Sequence, residues 1–399
     1  MNYELNITFF KIATLTYLFA MVFYLGYLAF RNQAVGKIAS GITYLGFLCH
    51  TASIGTRWWE SYQMGAGIGH VPITNLFESM SLGAWTIVLI YIIVEWRYKN
   101  RTFGAFVMPV TFLAMTYIFV APDVSKDIEP LVPALKSYWL YIHVLTSFLG
   151  YAAFAVSFGV SLMYLIINTQ RKDSFYGFWT ACLGALSVIV LAIAADWATL
   201  PDIQGKHMLE ATFRNPSAGV QALSWAGYAV ILFLIYMFGI RLKSALGKFQ
   251  TSSDLLDEVG YKTVAMGFPL LTVGIITGAV WANKAWGTYW GWDPKETWSL
   301  ITWLVYAAYL HARLTLGWRG RRASVLSVFG FFSVIFTYLG VNLLLSGLHS
   351  YGSTGGQIDK TAIPFLLIFA AFFAAYVGVC WILDAGSRKS AGHQVASEK

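Results

Sequence analysis

The chain has 399 residues, a formal net charge of +8, and a composition that is 57% hydrophobic but only 12% charged. A soluble protein of this length carries about 25% charged residues. The composition therefore excludes a soluble globular protein and predicts an all-α, polytopic transmembrane helix bundle.

The apolar residues fall in runs of about 20, the length a helix needs to cross a bilayer core. In chain order the spans are expected at about 9–30, 38–56, 76–96, 103–121, 138–168, 176–199, 218–240, 262–283, 297–316, 324–345 and 361–383, eleven in all. The fifth is long enough to tilt or to project beyond the bilayer. The first run lacks a preceding basic stretch and is long enough to be a span, so no cleavable signal peptide is expected. No loop is long enough to fold by itself, and residues 1–399 are read as one membrane domain.

Basic residues orient the spans. Assigning alternate loops to two sides places Arg31, Lys37, Arg97, Lys99, Arg101, Arg171, Lys172, Arg241, Lys243, Lys248, Lys262, Arg313, Arg319, Arg321, Arg322, Arg388, Lys389 and Lys399 on one side, 18 of the 27 Lys and Arg. The other side receives nine, among them Arg57, Lys126, Lys206 and Lys284. Positive residues remain cytoplasmic, so the N-terminus is expected outside and the C-terminus inside. The net charge is thus a topology signal, and with no basic patch outside these loops, nucleic acid is not a partner. Cys49, Cys182 and Cys380 all fall within predicted spans, and neither CxxC nor CxxCH occurs. The chain has no disulfide framework and no motif for attaching heme covalently to itself.

The histidines divide by depth. His143 lies near the outer end of the fifth span and His349 just beyond the outer end of the tenth. His70 and His207 fall in outer loops, and His393 in the cytoplasmic tail. His50 lies inside the second span. His311 lies inside the ninth, some 14 residues from its outer end and so about 20 Å deep. Ionisable groups at such depth are costly and tend to be functional, although a packed, hydrogen-bonded role is an equal reading for His50. The loop before the ninth span, about 284–298, is the strongest local signal. Trp286, Tyr289, Trp290, Trp292 and Trp298 occur within 13 residues, with Trp281 just before them. An interfacial aromatic belt spreads over many helix ends. This loop concentrates its rings, and Gly287 and Gly291 let the backbone fold closely. Such a platform suits a flat macrocycle such as a porphyrin, whose iron takes imidazole ligands.

The segment WANKAWGTYWGWDPKETWSLITWLVYAAYLHAR (281–313) resembles the tryptophan-rich "WWD" signature of the heme-handling proteins of cytochrome c biogenesis. Within that superfamily the chain is similar, over most of its length, to the CcsA (ResC) family, the membrane subunit of the System II cytochrome c synthase. GHVPITNLFESM (69–80) resembles the family's early outer-loop segment. SYWLYIHV (137–144) and LLSGLHSYG (344–352) resemble the segments carrying its two external heme-ligand histidines. The resemblance implies that His143 and His349 ligate heme iron at an outer site and that His311 is a membrane-embedded ligand. It implies heme b as cargo and substrate, a CcsB/ResB-like membrane subunit supplying the other deep ligand, and apocytochrome c as acceptor. Trp286, Trp290 and Trp292 would contact heme. Asp293 and Glu296 would brace the loop or meet the partner or substrate. No catalytic side chain is assigned, and the lyase activity implied is that of a complex. One departure is the pair of spans at about 176–240, whose outer loop carries Trp197, Asp202 and His207. An even insertion preserves the topology.

Three rivals are weaker. A b-type electron-transfer subunit usually carries two histidines on one span, and no span here does. A heme exporter or delivery protein would share the site and differ in lacking ligation chemistry. Relatives in the other biogenesis system are either much shorter or much longer. A bacterial cytoplasmic membrane and a thylakoid membrane are both open.

Overall fold

The computed structural model describes residues 5–65, 68–120, 124–168 and 251–344. The expected spans 176–199, 218–240 and 361–383, together with Cys182, His207, His349, Cys380 and His393, lie outside the described residues.

Among the described residues the chain is entirely helical. The helices are α1 (Leu5–Phe30), α2 (Gln33–Gln63), α3 (Leu76–Tyr98), α4 (Gly104–Val120), α5 (Tyr138–Asn168), α6 (Ser253–Trp286), α7 (Pro294–Leu314) and α8 (Arg321–Ile335). A π-helical turn, Phe336–Gly340, continues α8 into Val341–Leu344. Six of these helical segments are long and apolar enough to cross a membrane, and the chain is a multi-pass membrane protein.

Around a buried core that includes Phe10, Tyr17, Phe77 and Met108, the outward faces are apolar and polar side chains are drawn inside. Leu15, Phe19 and Val22 of α1 and Leu45 and Leu48 of α2 are exposed, whereas Ser40, Thr43, His50, Ser53, Arg57 and Glu60 of α2 are buried. Lipid accepts apolar side chains on the outside, so the polar ones turn inward, where they can find partners. His50 is fully buried, with its ring nitrogens 3.3 Å from the Tyr17 hydroxyl and 2.9 Å from Ser81 Oγ. One helical stretch away, Glu95 accepts from the hydroxyls of Tyr24, Tyr91 and Ser40. At the other end of α2, Arg57 makes a 2.8 Å ion pair with Glu78 and donates to the Lys126 and Asp127 carbonyls. These buried bonds tie α1, α2 and α3 together.

The most extensive pairing is α5 against α6. Its seam is built from small residues: Gly260, Gly267 and Gly274 recur every seven positions on α6, opposite Ser157, Gly150 and Ser147 of α5. A Cβ on Gly267 would lie 2.9 Å from Ala153 Cβ and 3.0 Å from the Gly150 carbonyl. Small residues permit this approach, and dispersion between close backbones holds it where the hydrophobic effect cannot. At the far end of α7, Arg313 grips Asp257 of α6 at 2.7 Å, and Asp257 also accepts from the Gly320 N–H, fixing the turn into α8.

Candidate functional site

The α5–α6 seam continues upward to His143. Gly278 allows the imidazole to lie against α6, since a Cβ there would be 2.6 Å from His143 Nδ1. His143 Nδ1 is 2.7 Å from the Gly274 carbonyl oxygen. A carbonyl only accepts, so Nδ1 carries the hydrogen and the lone pair resides on Nε2. Trp281 lies nearly parallel to the ring, with centroids 6.2 Å apart and planes at 14°. Trp281 is held in turn by its indole N–H, which donates to the Ala134 carbonyl at 2.9 Å.

His143 is half-buried on the wall of a cleft of about 910 Å³, including its open mouth. Ser79 of α3, Tyr151 of α5, Trp281 of α6, Tyr289 and Trp290 of the following loop, Lys295 and Glu296 of α7, and Tyr338 of the π-helical turn also line it. The π-turn places Tyr338 where its hydroxyl meets Ser79 Oγ at 2.6 Å and its ring meets Phe148 edge-on. Such turns occur frequently at functional sites.

The tryptophan loop is a connector between two capped helices. Gly287 ends α6 in the left-handed region (φ 81°), its N–H bonded to the Asn283 carbonyl. Trp292 has φ 56°, a conformation that costs an aromatic residue energy and persists only where its surroundings impose it. Asp293 caps α7, accepting from the Lys295 N–H, and Glu296 completes a capping box. Glu296 accepts from the N–H groups of Gly291 at 2.7 Å and Asp293 at 3.2 Å. Both carboxylates thus hold the loop through its backbone. Trp290 lines the cleft. Trp292, 70% exposed, stands edge-on to Trp290 at the rim, and Trp286 packs edge-on behind Trp281.

His311 is elsewhere. It is on the exposed face of α7, about 18 Å along the helix from the cleft-lining Ser299. His70, in the loop before α3, is buried, and its Nε2 lies 3.7 Å from Glu78. Its interaction with the accepting Glu78 carboxylate raises its pKa above the ordinary imidazole value, against the opposing effect of burial. His349 and His207 lie outside the described residues. The sequence reading had no means of including Lys295, Tyr338 or the Gly274 carbonyl. The glycine recurrence on α6 was the legible sign of a close helix approach, but not of what it approaches.

These features define an all-helical membrane protein with an aromatic-walled, histidine-bearing cleft at one end of its bundle. The family described as Cytochrome C assembly protein matches residues 73–349. The cytochrome c biogenesis protein CcsA of Synechococcus elongatus is 40% identical over 306 residues, 76% of this chain and 84% of that one. CcsA of Porphyra purpurea is 36% identical over 335 residues, 84% and 93% of the two chains. CcsA of Synechocystis is 37% identical over 342 residues, 85% and 95%. A solved structure of the cytochrome c heme lyase CcmF superposes with a TM-score of 0.53 at 13% identity, over 93% of this chain and half of that one, a likeness of fold. The chain belongs to the CcsA family of cytochrome c biogenesis proteins, and its function lies in heme handling for that process.

Proposed function

We propose that this chain carries heme b across the membrane and presents it, at the cleft beside His143, for attachment to apocytochrome c. His143 and His349 are the axial ligands of that outer site. The imidazole of His143 supports this most directly. Its Nδ1–H is committed to the Gly274 carbonyl and its ring to Trp281, within the cleft that Trp290 lines. A second-shell carbonyl of this kind fixes the tautomer and directs Nε2 toward a metal.

The chain acts as a subunit of a System II synthase with a CcsB/ResB-like partner, in a bacterial cytoplasmic or a thylakoid membrane. Heme enters at His311 in the cytoplasmic half. The exposure of His311 on α7 supports a ligand set shared with a second chain. At the outer site each cysteine thiol of a CxxCH segment adds across a vinyl group. Sulfur bonds one vinyl carbon, the thiol proton goes to the other, and no net redox change occurs. The protein contributes orientation, and the cofactor contributes the reactive double bond. Trp286, Trp290 and Trp292 form the apolar support for the macrocycle, and Asp293 acts by holding their loop.

The test is ligand replacement. His143→Gly and His349→Gly should each impair holocytochrome c formation, and added imidazole should partly restore it by filling the space beside the iron. A structural histidine would not respond to a diffusing ligand. Unimpaired maturation in both variants without imidazole would remove these residues as the axial pair.

A further inference from the structure

The segment between α2 and α3 carries part of the cleft wall. Ile73 lines the cleft with His143, and Val71 and Ile73 pack into the cluster of Leu140, Val144, Phe148 and Trp281. This segment is held by His70, which is 3% exposed. The His70 backbone N–H donates to Ser61 Oγ of α2 at 3.1 Å. Its ring Nδ1 lies 2.6 Å from the Ile68 carbonyl oxygen, and its Nε2 lies 3.2 Å from Thr74 Oγ1. Thr74 Oγ1 in turn donates to Glu78 Oε2 at 3.0 Å, and the Thr74 N–H donates to the same oxygen at 2.9 Å.

Proton counting gives these three side chains two states. A carbonyl only accepts, so Nδ1 carries a hydrogen in both. Thr74 has one hydroxyl hydrogen. While that hydrogen goes to Glu78, the Thr74 oxygen accepts from Nε2–H, both ring nitrogens are donors and His70 is a cation. When His70 is neutral, Nε2 becomes an acceptor and the hydroxyl turns to it. Glu78 then loses that bond together with its cationic neighbour at 3.7 Å. The charged groups facing His70 are Glu78 of α3 and Arg57 of α2. Arg57 opposes the imidazolium, but it is itself engaged by Glu78 at 2.8 Å and by the Lys126 and Asp127 carbonyls. Glu78, with the Ile68 carbonyl, favours the protonated form against burial.

We propose that His70, Thr74 and Glu78 form a proton-operated clasp that positions the Ile73 wall of the cleft, closed when His70 is protonated. His70 is then a positioning residue for heme, acting through the backbone of residues 70–74. Its bearing on heme rests on the reading above. Acidity on the outer face tightens the site. Because such coupling is reciprocal, occupation of the cleft favours protonation of His70.

The experiment takes two readouts over a pH series on full-length, heme-stripped protein in detergent. The first is a Soret titration of hemin, with and without His70→Gln. Protonation of His143 and of hemin itself is common to both chains and cancels in the ratio of their affinities. The unsubstituted protein's advantage should be at least about fivefold larger below a pH of about 6.5 than at alkaline pH. Thr74→Val removes the hydroxyl alone and should shrink the same dependence, so the prediction stands even where His70→Gln fails to fold. The second readout needs no heme. It is the rate at which Ile73→Cys reacts with an impermeant thiol reagent, with His70 intact relative to His70→Gln. Ionisation of the thiol cancels in this ratio, which should rise toward one with pH as the clasp opens. A labelling ratio independent of pH would overturn the clasp. A changing labelling ratio beside a flat affinity ratio would overturn the positioning role. Failure of hemin to bind the unsubstituted protein at any pH would count against the heme reading, and the labelling ratio would then decide the clasp by itself.

Discussion

Gly278→Ala is the mildest perturbation that reaches His143. The added methyl carbon would stand 2.6 Å from His143 Nδ1 and 2.7 Å from Cε1. Non-bonded heavy atoms settle at about 3.5 Å, so the ring must retreat by about 0.9 Å. That retreat stretches the 2.7 Å bond to the Gly274 carbonyl to as much as about 3.6 Å, beyond a useful hydrogen bond. The alternative, separating α5 from α6, costs about 1–3 kcal/mol by overpacking. Losing a second-shell partner of a metal-binding histidine typically costs 10–100-fold in affinity. Gly278→Ala should therefore lower hemin affinity by about that factor while the protein still folds and purifies. Gly41→Ala and Gly55→Ala supply the control, because an added Cβ at either position meets nothing within 4 Å. The assay is a Soret titration of the three variants beside His143→Ala. Full hemin affinity in Gly278→Ala, with affinity lost in His143→Ala, would show that the seam does not set the imidazole.

Arg57→Met removes the 2.8 Å cation partner of buried Glu78, leaving it only His70 and Thr74, and should cost up to about 3–5 kcal/mol, read as a lower melting temperature in detergent, with Glu78→Gln in the same chain restoring part of it. His70 has a pKa raised by Glu78, so its contribution is fully present below the unfolded imidazole value and lost as pH rises through the folded one. Melting temperature should accordingly fall as pH rises above the ordinary imidazole value of about 6.5, with a shallower fall in His70→Gln; identical profiles would refute the linkage. Thr288→Cys and Arg319→Cys, both at exposed positions, should differ in labelling by an impermeant thiol reagent on intact cells, the first reacting and the second not. Equal labelling would overturn the orientation read from the basic residues.

What was legible in the sequence follows from how each element is stabilised. The expected spans at 76–96 and 138–168 nearly coincide with α3 and α5, whose hydropathy ends where the helix ends. The span expected at 38–56 is the centre of a longer helix, Gln33–Gln63. Hydropathy stops at Arg57 and Glu60, but those residues continue the helix because their charges find partners inside the bundle. Likewise α6 begins at Ser253 rather than near 262: Ser252 caps it, and a polar first turn continues beyond the apolar run. The D-P-K-E run at 293–296 carries its own helix-start chemistry, so the bracing of the tryptophan loop was readable from spacing.

The cleft was less legible because it depends on pairings between distant segments. His143 is 131 residues from the carbonyl that orients it, and Lys295 is 47 from the amide it meets. Neither periodicity nor hydropathy reports such a distance. What the chain does encode locally is permission. Three glycines at heptad spacing let α5 and α6 touch, a fourth leaves room for one imidazole, and a π-turn redirects Tyr338 toward the cleft. Each of these departs from the best local helix former, since glycine weakens a helix and a π-turn breaks its regular ladder. At the upper end of the seam the Gly274 carbonyl and the space left by Gly278 hold the His143 imidazole in one tautomer and one orientation, as the proposed role of metal ligand would require.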